Sequence, residues 1–236
     1  MKKIILFCLI FFIIPPNTFG QNDQNPAYFI MRMVAKKTVD NEKFKESRVG
    51  YKRQYIIQDL NTQEQPTRTK KNEVELVANG KGKIIERNGR PINGGASSIP
   101  NINFRKALYD FYDFSMASTP VTMVEGRAYH VIDFRPTKGI AHPKGDMEEI
   151  LSRVAGTIYI DVEKLFIYKL SANLTEEYSR GWFIYRLRRA DIELVQMEFQ
   201  NMVVVDSLKV IDKYSIFGVE TFEKQTITYT DYAYKP

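Results

Sequence analysis

The chain has 236 residues, of which 44% are hydrophobic and 13% aromatic, and its formal net charge is +6. That length suits one large domain or two small ones, and the modest charge argues against a dedicated nucleic-acid binder. The single cysteine, Cys8, lies in the first apolar run. The rest of the chain therefore offers no disulfide, no thiol nucleophile and no cysteine-ligated metal site.

The N-terminal segment predicts export from the cytoplasm. A basic start precedes an apolar run over residues 4–14, and small residues then precede a polar stretch, as in a secretory signal peptide. The run is shorter than the roughly 20 apolar residues of a membrane-spanning helix. We expect cleavage after Gly20, which lowers the net charge from +6 to +4 and leaves residues 21–236 as the mature protein. Cys8 lies in the middle of the run rather than at its end, so we expect no lipidation there.

The first element predicted after this signal is a helix. Asn25 suits an N-cap, and Pro26 suits the first helical position. The predicted apolar face contains Phe29, Ile30, Met33 and Val34. The polar residues 40–47 are expected to end this helix in a loop.

Alternating sequences predict strands over residues 51–59 and 68–78. In the second strand, one face carries Val74, Leu76 and Ala78 and the other carries Glu73 and Glu75. A turn over residues 79–82 predicts a hairpin with a third strand. Residues 89–100 are rich in glycine and proline and indicate a loop. This loop lacks the G-x-G-x-x-G spacing of a phosphate-binding site.

Two further helices are predicted. Phe104, Leu108, Phe111 and Tyr112 recur at the spacing of an amphipathic helix of about 12 residues. Asp146, with an acidic residue three positions later, resembles a capping box that opens a short helix.

Strands dominate the second half of the sequence. The predicted strands cover residues 120–124, 128–134, 157–161, 165–174, 192–199, 202–214 and 218–232. No helix long enough for a parallel crossover separates the later ones. We therefore expect one antiparallel sheet in a single α+β domain.

Two segments carry a resemblance to a known family. Residues 129–136 read Tyr-His-Val-Ile-Asp-Phe-Arg-Pro, and residues 150–161 read Ile-Leu-Ser-Arg-Val-Ala-Gly-Thr-Ile-Tyr-Ile-Asp, with a short basic loop between them. This order resembles the outer-membrane lipoprotein-sorting proteins, the family of the periplasmic lipoprotein carrier. The resemblance covers residues 110–232, with a weaker match back to residue 50.

The resemblance implies an unclosed β-barrel, in which a strongly curved antiparallel sheet surrounds a hydrophobic cavity and is covered by helices. In that family the cavity holds acyl chains of lipids or lipoproteins in the periplasm, or the fold senses them. No catalytic residue belongs to the family, so we expect neither an enzyme nor a cofactor. The alternative is a protein-binding or sensor module of the cell envelope, with the same fold and no lipid cargo.

The candidate lipid cavity can be assigned to particular residues. Its predicted walls come from the strands and consist of Ile158, Ile160, Phe166, Tyr168, Leu170, Val195, Met197 and Phe199. Its predicted cover comes from the helix with Phe104, Leu108 and Phe111. An ordinary packed core would use the same residues, so the sequence leaves both possibilities open.

Residues 180–189 mix basic and aromatic side chains. The candidates for contact with a membrane or lipid headgroup are Arg180, Trp182, Tyr185, Arg186, Arg188 and Arg189. The same mixture suits a hairpin whose aromatic rings pack on the sheet while the arginines stay solvated. It also suits single-stranded nucleic acid. An exported protein rarely meets nucleic acid, so we expect no such partner.

Metal and catalytic motifs are weak. His130 and His142 lack a zinc-type spacing with other ligands, and no G-x-S-x-G elbow is present. Asp133 and Asp161 each end an apolar strand, which is more typical of acids that bond turn backbone than of an acid–base pair. We therefore predict no metal site and no catalytic residue.

Overall fold

The computed structural model describes residues 25–78, 81–92, 112–137, 146–181 and 184–234. Within these ranges there are two helices, α1 (Pro26–Arg48) and α2 (Asp146–Leu151). The strands are β1 (Val49–Leu60), β2 (Pro66–Ala78), β3 (Lys81–Arg87), β4 (Arg90–Pro91), β5 (Tyr112–Val124), β6 (Arg127–Pro136), β7 (Val154–Asp161), β8 (Ile167–Leu174), β9 (Tyr178–Arg180), β10 (Tyr185–Phe199), β11 (Met202–Ile216) and β12 (Val219–Tyr234). The predicted helix with Phe104 lies outside the described residues except for Tyr112, which the prediction placed in that helix and which instead begins β5.

All strands belong to one curved antiparallel sheet. Its order is β4-β3-β2-β1-β12-β11-β10-β8-β7-β6-β5, and β9 pairs with β10. The last strand, β12, lies between β1 and β11. Because β4 and β5 stand at opposite ends and do not pair, the sheet is not closed. The predicted antiparallel, unclosed sheet is therefore confirmed.

Two neighbouring cross-strand rows distinguish the faces of the sheet. One row is almost entirely apolar and consists of Met116, Ile132, Ile158, Leu170, Leu194, Leu208, Ile227 and Tyr55. The row beside it is mostly polar and consists of Ser115, Asp133, Thr157, Ser171, Glu193, Lys209 and Thr226. Since successive strand residues point to opposite faces, these rows define an inner, apolar face and an outer, polar one.

Helix α1 covers the inner face. Its residues Ala27, Met31, Val34 and Ala35 are buried in the same cluster as the apolar row. Asn25 caps the helix as predicted, because its Oδ1 accepts a hydrogen bond from the Ala27 N–H at 3.0 Å. The predicted apolar face was partly wrong, since the side chains of Phe29 and Met33 are 65% and 39% exposed. The mainly small residues of the buried stripe let the helix approach the sheet closely.

Helix α1 is also longer than predicted and continues to Arg48. Asn41 fixes this second half, because its amide exchanges hydrogen bonds of 2.8 and 2.9 Å with the backbone of Val203. Nearby, Lys37 Nζ donates to the Lys164 carbonyl at 2.6 Å. These contacts join residues more than a hundred positions apart, so the local sequence pattern does not predict them. No helix in the described ranges combines the length and apolarity that crossing a bilayer would require.

Four hairpins of the described chain have two-residue turns with positive φ at both positions. The turns are Asn88–Gly89, Glu125–Gly126, Gln200–Asn201 and Phe217–Gly218. This is the type I′ geometry, whose twist matches that of the adjoining strands and which favours asparagine or glycine.

Gly156 lies on β7, close to the backbone of β8. A Cβ at this position would overlap the carbonyl oxygen of Ser171 and lie within 2.7 Å of the Ala172 Cα. These are backbone atoms that cannot rotate away. Glycine is therefore required in the middle of a strand, where it is otherwise unfavourable.

We expect Gly156→Ala to lower the free energy of unfolding by about 1–3 kcal/mol, because the added methyl group forces the two strands apart. Urea denaturation followed by circular dichroism measures this change. Ala155→Ser, one residue away on the other face, is the matched control and should stay within about 0.5 kcal/mol of the wild type. An unchanged unfolding midpoint for Gly156→Ala would contradict the close approach.

Candidate functional site

The inner face has an apolar half and a polar half. The apolar half lies on β5 to β8 and includes the buried side chains of Phe114, Phe134, Ile158, Ile160 and Leu170. The polar half lies on β1, β2, β11 and β12 and includes the buried side chains of Arg53, Glu73, Glu75, Asp212 and Glu223. A sheet whose inner face changes character in this way can meet an amphiphilic ligand with matching groups.

The predicted cavity residues divide between the faces. Ile158, Ile160 and Leu170 are buried in the cluster that α1 covers. Phe166 is also buried, in the turn before β8. Val195 lies on the outer face, because its cross-strand neighbours are Lys169 and Ser207.

The remaining predicted wall residues are half-buried. The ring of Tyr168 lies 4.6 Å from the ring of Tyr129, and the ring of Phe199 lies 5.6 Å from that of Tyr232. Met197 follows a register shift after Val195. Phe104, Leu108 and Phe111, the predicted cover, lie outside the described residues, so α1 is the cover that the structure describes.

Helix α1 is held over the apolar half at its first turn. Asn25 Nδ2 donates to the Phe114 carbonyl at 2.8 Å, and the ring of Tyr28 meets the ring of Phe114 edge to face, with centroids 5.4 Å apart. The contacts of Lys37 and Asn41 hold the other end. The helix therefore spans the inner face between two anchor points.

The acidic face of β2 is the buried one, which the alternation of the sequence does not show. Glu73 and Glu75 are 3% and 0% exposed, whereas Leu76 is 44% exposed. Glu75 forms an ion pair with Arg53 on β1, its direct cross-strand neighbour. Gly82 on β3 leaves the space for this carboxylate, because a Cβ there would overlap it. The sequence does indicate a buried position for Arg53, because this residue alternates with apolar and aromatic residues in β1.

Asp212 and Glu223 form the second buried group of the polar half. They face each other directly across β11 and β12. Lys70 Nζ lies 3.1 Å from Glu223 Oε2, and Gln225 Nε2 donates to Glu223 Oε1 at 3.2 Å. Tyr55 donates its hydroxyl proton to Gln225 Oε1 at 2.8 Å.

The environment of Asp212 changes its acidity. Burial raises the pKa of Asp212 to about 8, and the nearby charge of Glu223 adds to this shift. In the described structure, its Oδ1 has no hydrogen-bond partner. Asp212 is therefore mostly protonated at neutral pH, which reduces its repulsion with Glu223.

The arginine-rich stretch forms the β9–β10 hairpin and the start of β10. Tyr185 packs between Tyr178 and Tyr214, with ring centroids 6.2 and 6.1 Å away. Its arginines form ion pairs, which are Arg180 with Asp146, Arg186 with Glu177, Arg188 with Glu220, and Arg189 with Glu64 and Asp191. This geometry favours the packed-hairpin interpretation. Contact of these residues with a headgroup remains a prediction, and Trp182 lies outside the described residues.

A cleft of about 460 Å³ lies on the outer face, where the β1–β2 turn approaches the sheet. Its walls are mostly polar and include Glu64, Thr157, Ser171, Arg189, Asp191 and Lys209. Arg189 Nη1 lies 2.6 Å from Glu64 Oε1, so this ion pair holds the turn against β10. Such walls do not suit an acyl chain.

The residues considered for metal binding or catalysis do not converge in the described structure. Asp161 Oδ1 accepts hydrogen bonds from the backbone N–H groups of Glu163 and Lys164 at 3.0 and 2.7 Å, as expected of a turn acid. Asp133 instead accepts a hydrogen bond from Thr157 on β7 at 2.7 Å. No group of three or more metal-ligating side chains occurs among the described residues, and His142 lies outside them.

Comparisons with known proteins connect the chain to others only through structure. No protein-family model and no curated protein matches the sequence. Among solved structures, a LolA superfamily protein from Nitrosomonas europaea matches 89% of this chain and 94% of its own, with 10% identity and a TM-score of 0.40. A DUF1329 family protein from Desulfovibrio piger matches with the same identity and coverage and a TM-score of 0.37.

The Pseudomonas aeruginosa MucA/MucB complex also matches, over 84% of this chain and 98% of that chain, with 8% identity and a TM-score of 0.23. The LolA superfamily is the lipoprotein-carrier family that the sequence resembles. At these identities and TM-scores the likeness concerns the fold alone.

Proposed function

We propose that this protein is a non-enzymatic, exported binding protein that holds an acyl chain of a lipid or lipoprotein against the inner face of its sheet. The observation that supports this most is the apolar row that crosses eight strands of an unclosed sheet. In the described structure, α1 is the helix that packs against this row. A long apolar surface covered by a helix suits a flexible apolar ligand.

Helix α1 occupies the position that an acyl chain would take. Its buried side chains on the sheet are Ala27, Met31, Val34 and Ala35, and Tyr28 and Ile30 pack partly against the same cluster. Each methylene group removed from water contributes about 0.8 kcal/mol. An acyl chain of about 15 carbons can therefore compensate for displacing these six side chains and for its own ordering. Uptake then requires α1 to move and needs no chemical reaction.

A disulfide that locks α1 tests this proposal. Asn41 and Val203 are the best positions, because the Asn41 side chain reaches the Val203 backbone and the mature sequence has no other cysteine. We expect Asn41→Cys/Val203→Cys, expressed from residue 21 onward, to lose lipid uptake when oxidised and to regain it when reduced. Native mass spectrometry after incubation with detergent-dispersed phospholipid measures the bound mass.

The single variants Asn41→Cys and Val203→Cys, under the same oxidant, are the controls and should take up lipid like the wild type. The wild type purified from a periplasm should also carry an added mass that denaturation removes. A wild-type protein that shows only its own mass after both treatments would exclude the acyl-chain proposal. Equal uptake by the oxidised and reduced double variant would exclude α1 as the moving cover.

The second candidate function is a protein-binding module, and the end strand β5 favours it. No strand of the described chain pairs with its outer edge. The pairing of β5 with β6 is irregular in a stretch that contains Pro120. After this stretch, the side chains of Val121 and Met123 are 45% and 64% exposed. An exposed strand edge can accept an extended segment of another protein. The mass spectrometry above separates the two functions, because this one predicts no bound lipid.

A further inference from the structure

Two neighbouring hairpin ends form an exposed apolar tip on this protein. The tip, here called the apolar knuckle, consists of Ile184, Phe217 and Val219, which are 47%, 55% and 70% exposed. The Phe217 N–H donates to the Ile184 carbonyl at 3.0 Å, so the two hairpins are joined at this point. Large apolar side chains therefore project together from a fixed backbone.

Phe217 occupies an unusual position for an aromatic residue. It is the first residue of a type I′ turn, with φ of 49°, a conformation that bulky residues rarely adopt. The other three type I′ turns have a polar residue at this first position, namely Asn88, Glu125 and Gln200. The turn geometry does not favour phenylalanine at position 217, and the side chain is too exposed to stabilise the core. A residue that is both strained and exposed in this way indicates a functional contact.

The knuckle lies at the end of the sheet away from the C-terminal anchor of α1. That anchor is on Val203, at the start of β11, whereas Phe217 follows the end of the same strand. At about 3.3 Å per strand residue, the two points are roughly 45 Å apart along β11. Next to the knuckle, Tyr185 pairs with Ile216, and Ile216 pairs with Val219.

We propose that the apolar knuckle inserts into the surface of a lipid bilayer. Three projecting side chains are too few for a specific protein interface, which covers roughly 800 Å² of each partner. They do suit the boundary between headgroups and acyl chains, where a few apolar and aromatic residues suffice. The nearby arginines of β10 are paired, Arg186 with Glu177 and Arg188 with Glu220. Binding is therefore expected to depend on apolar insertion more than on anionic lipid.

The inference goes beyond the acyl-chain proposal and does not require it. A bilayer-bound knuckle would place the end of the sheet that carries Tyr185 toward the membrane. A protein that retains a lipid in native mass spectrometry but does not bind vesicles would overturn this inference alone. A protein that binds vesicles but retains no lipid would support this inference and count against the acyl-chain proposal.

Vesicle sedimentation tests the knuckle. The mature protein is mixed with phosphatidylcholine vesicles, with and without phosphatidylglycerol, and the bound fraction is measured. Trp182, the only tryptophan, precedes Ile184 by two residues, so its emission should shift to shorter wavelength on binding. We expect wild-type protein to bind both kinds of vesicle, with affinities that differ by less than about tenfold, since the neighbouring charges are paired.

Phe217→Asn is the decisive variant. Asparagine suits the first position of a type I′ turn, so the melting temperature should stay the same or rise. Vesicle affinity should fall by about tenfold or more, because the variant no longer buries a Phe side chain in the bilayer. Gln200→Asn makes a similar change in the turn at the other end of β11 and should bind like the wild type.

Two results would overturn the inference. One is a wild-type protein that binds neither kind of vesicle. The other is a folded Phe217→Asn variant that binds with unchanged affinity. In that second case, a strong dependence on phosphatidylglycerol would assign binding to the arginines of β10 instead of the knuckle.

Discussion

Replacing Asp212 with asparagine is expected to raise the free energy of unfolding at pH 8 by on the order of 5 kcal/mol and to change little at pH 4. Burial raises the pKa of this carboxyl group to about 8, whereas its ordinary value is 3.8. Between these values the folded protein holds a proton that the unfolded chain releases. The stability of the wild type therefore falls as the pH rises through this window, and asparagine has no such proton.

Urea denaturation at pH 4, 6 and 8 gives the difference between Asp212→Asn and the wild type at each pH, which removes the contribution of all other groups. Asp206→Asn, on the same strand but only half-buried, is the control. Its difference from the wild type should stay within about 0.5 kcal/mol at every pH. A difference for Asp212→Asn that does not grow with pH would show that Asp212 ionises like an ordinary carboxyl group.

Replacing Arg53 with methionine should cost about 3–5 kcal/mol of the free energy of unfolding. Arg53 and Glu75 are 5% and 0% exposed and form an ion pair across β1 and β2. Methionine fills similar space but leaves the Glu75 carboxylate buried without its cation. Guanidinium denaturation of this variant at pH 7 measures the loss.

Two further variants show whether the loss comes from the orphaned charge. The double variant Arg53→Met/Glu75→Met removes both charges and should recover most of the stability, because an apolar pair of similar volume replaces a buried ion pair at little cost. Arg87→Met removes an exposed cation from Glu73, which keeps Lys71 at 3.1 Å, and should cost less than about 1 kcal/mol. If the double variant is as unstable as Arg53→Met, the side-chain shape of Arg53 matters more than its charge.

Much of the fold could be predicted from local pattern. The strands after Gly156 alternate clearly, and the absence of a crossover helix between them requires an antiparallel sheet. The orientation of β2 could not be predicted in this way, because it depends on pairs between strands. Glu75 is buried because Arg53 is its neighbour on β1, and a period of two residues cannot show which face carries such a partner.

The candidate site could be predicted only where local alternation shows which face of the sheet a residue occupies. Ile158 and Leu170 were assigned correctly to one face because each lies in a regular alternating strand. On β10, the residues that face α1 are Ile192 and Leu194, whereas Val195 faces outward. The apolar residues of β10 change parity between Leu194 and Val195, so the sequence pattern alone does not show which set faces inward.

The position of β12 has a consequence for how the protein folds. This strand joins β1 to β11, so without it the sheet would be two separate pieces, one from β1 to β4 and one from β5 to β11. The pairing of Val49 with Tyr234 closes a loop of almost the whole described chain. Contacts of such long sequence separation form slowly. Neither piece can complete its pairing until β12 is available, so a folding chain exposes the edges of β1 and β11 until its last strand joins them.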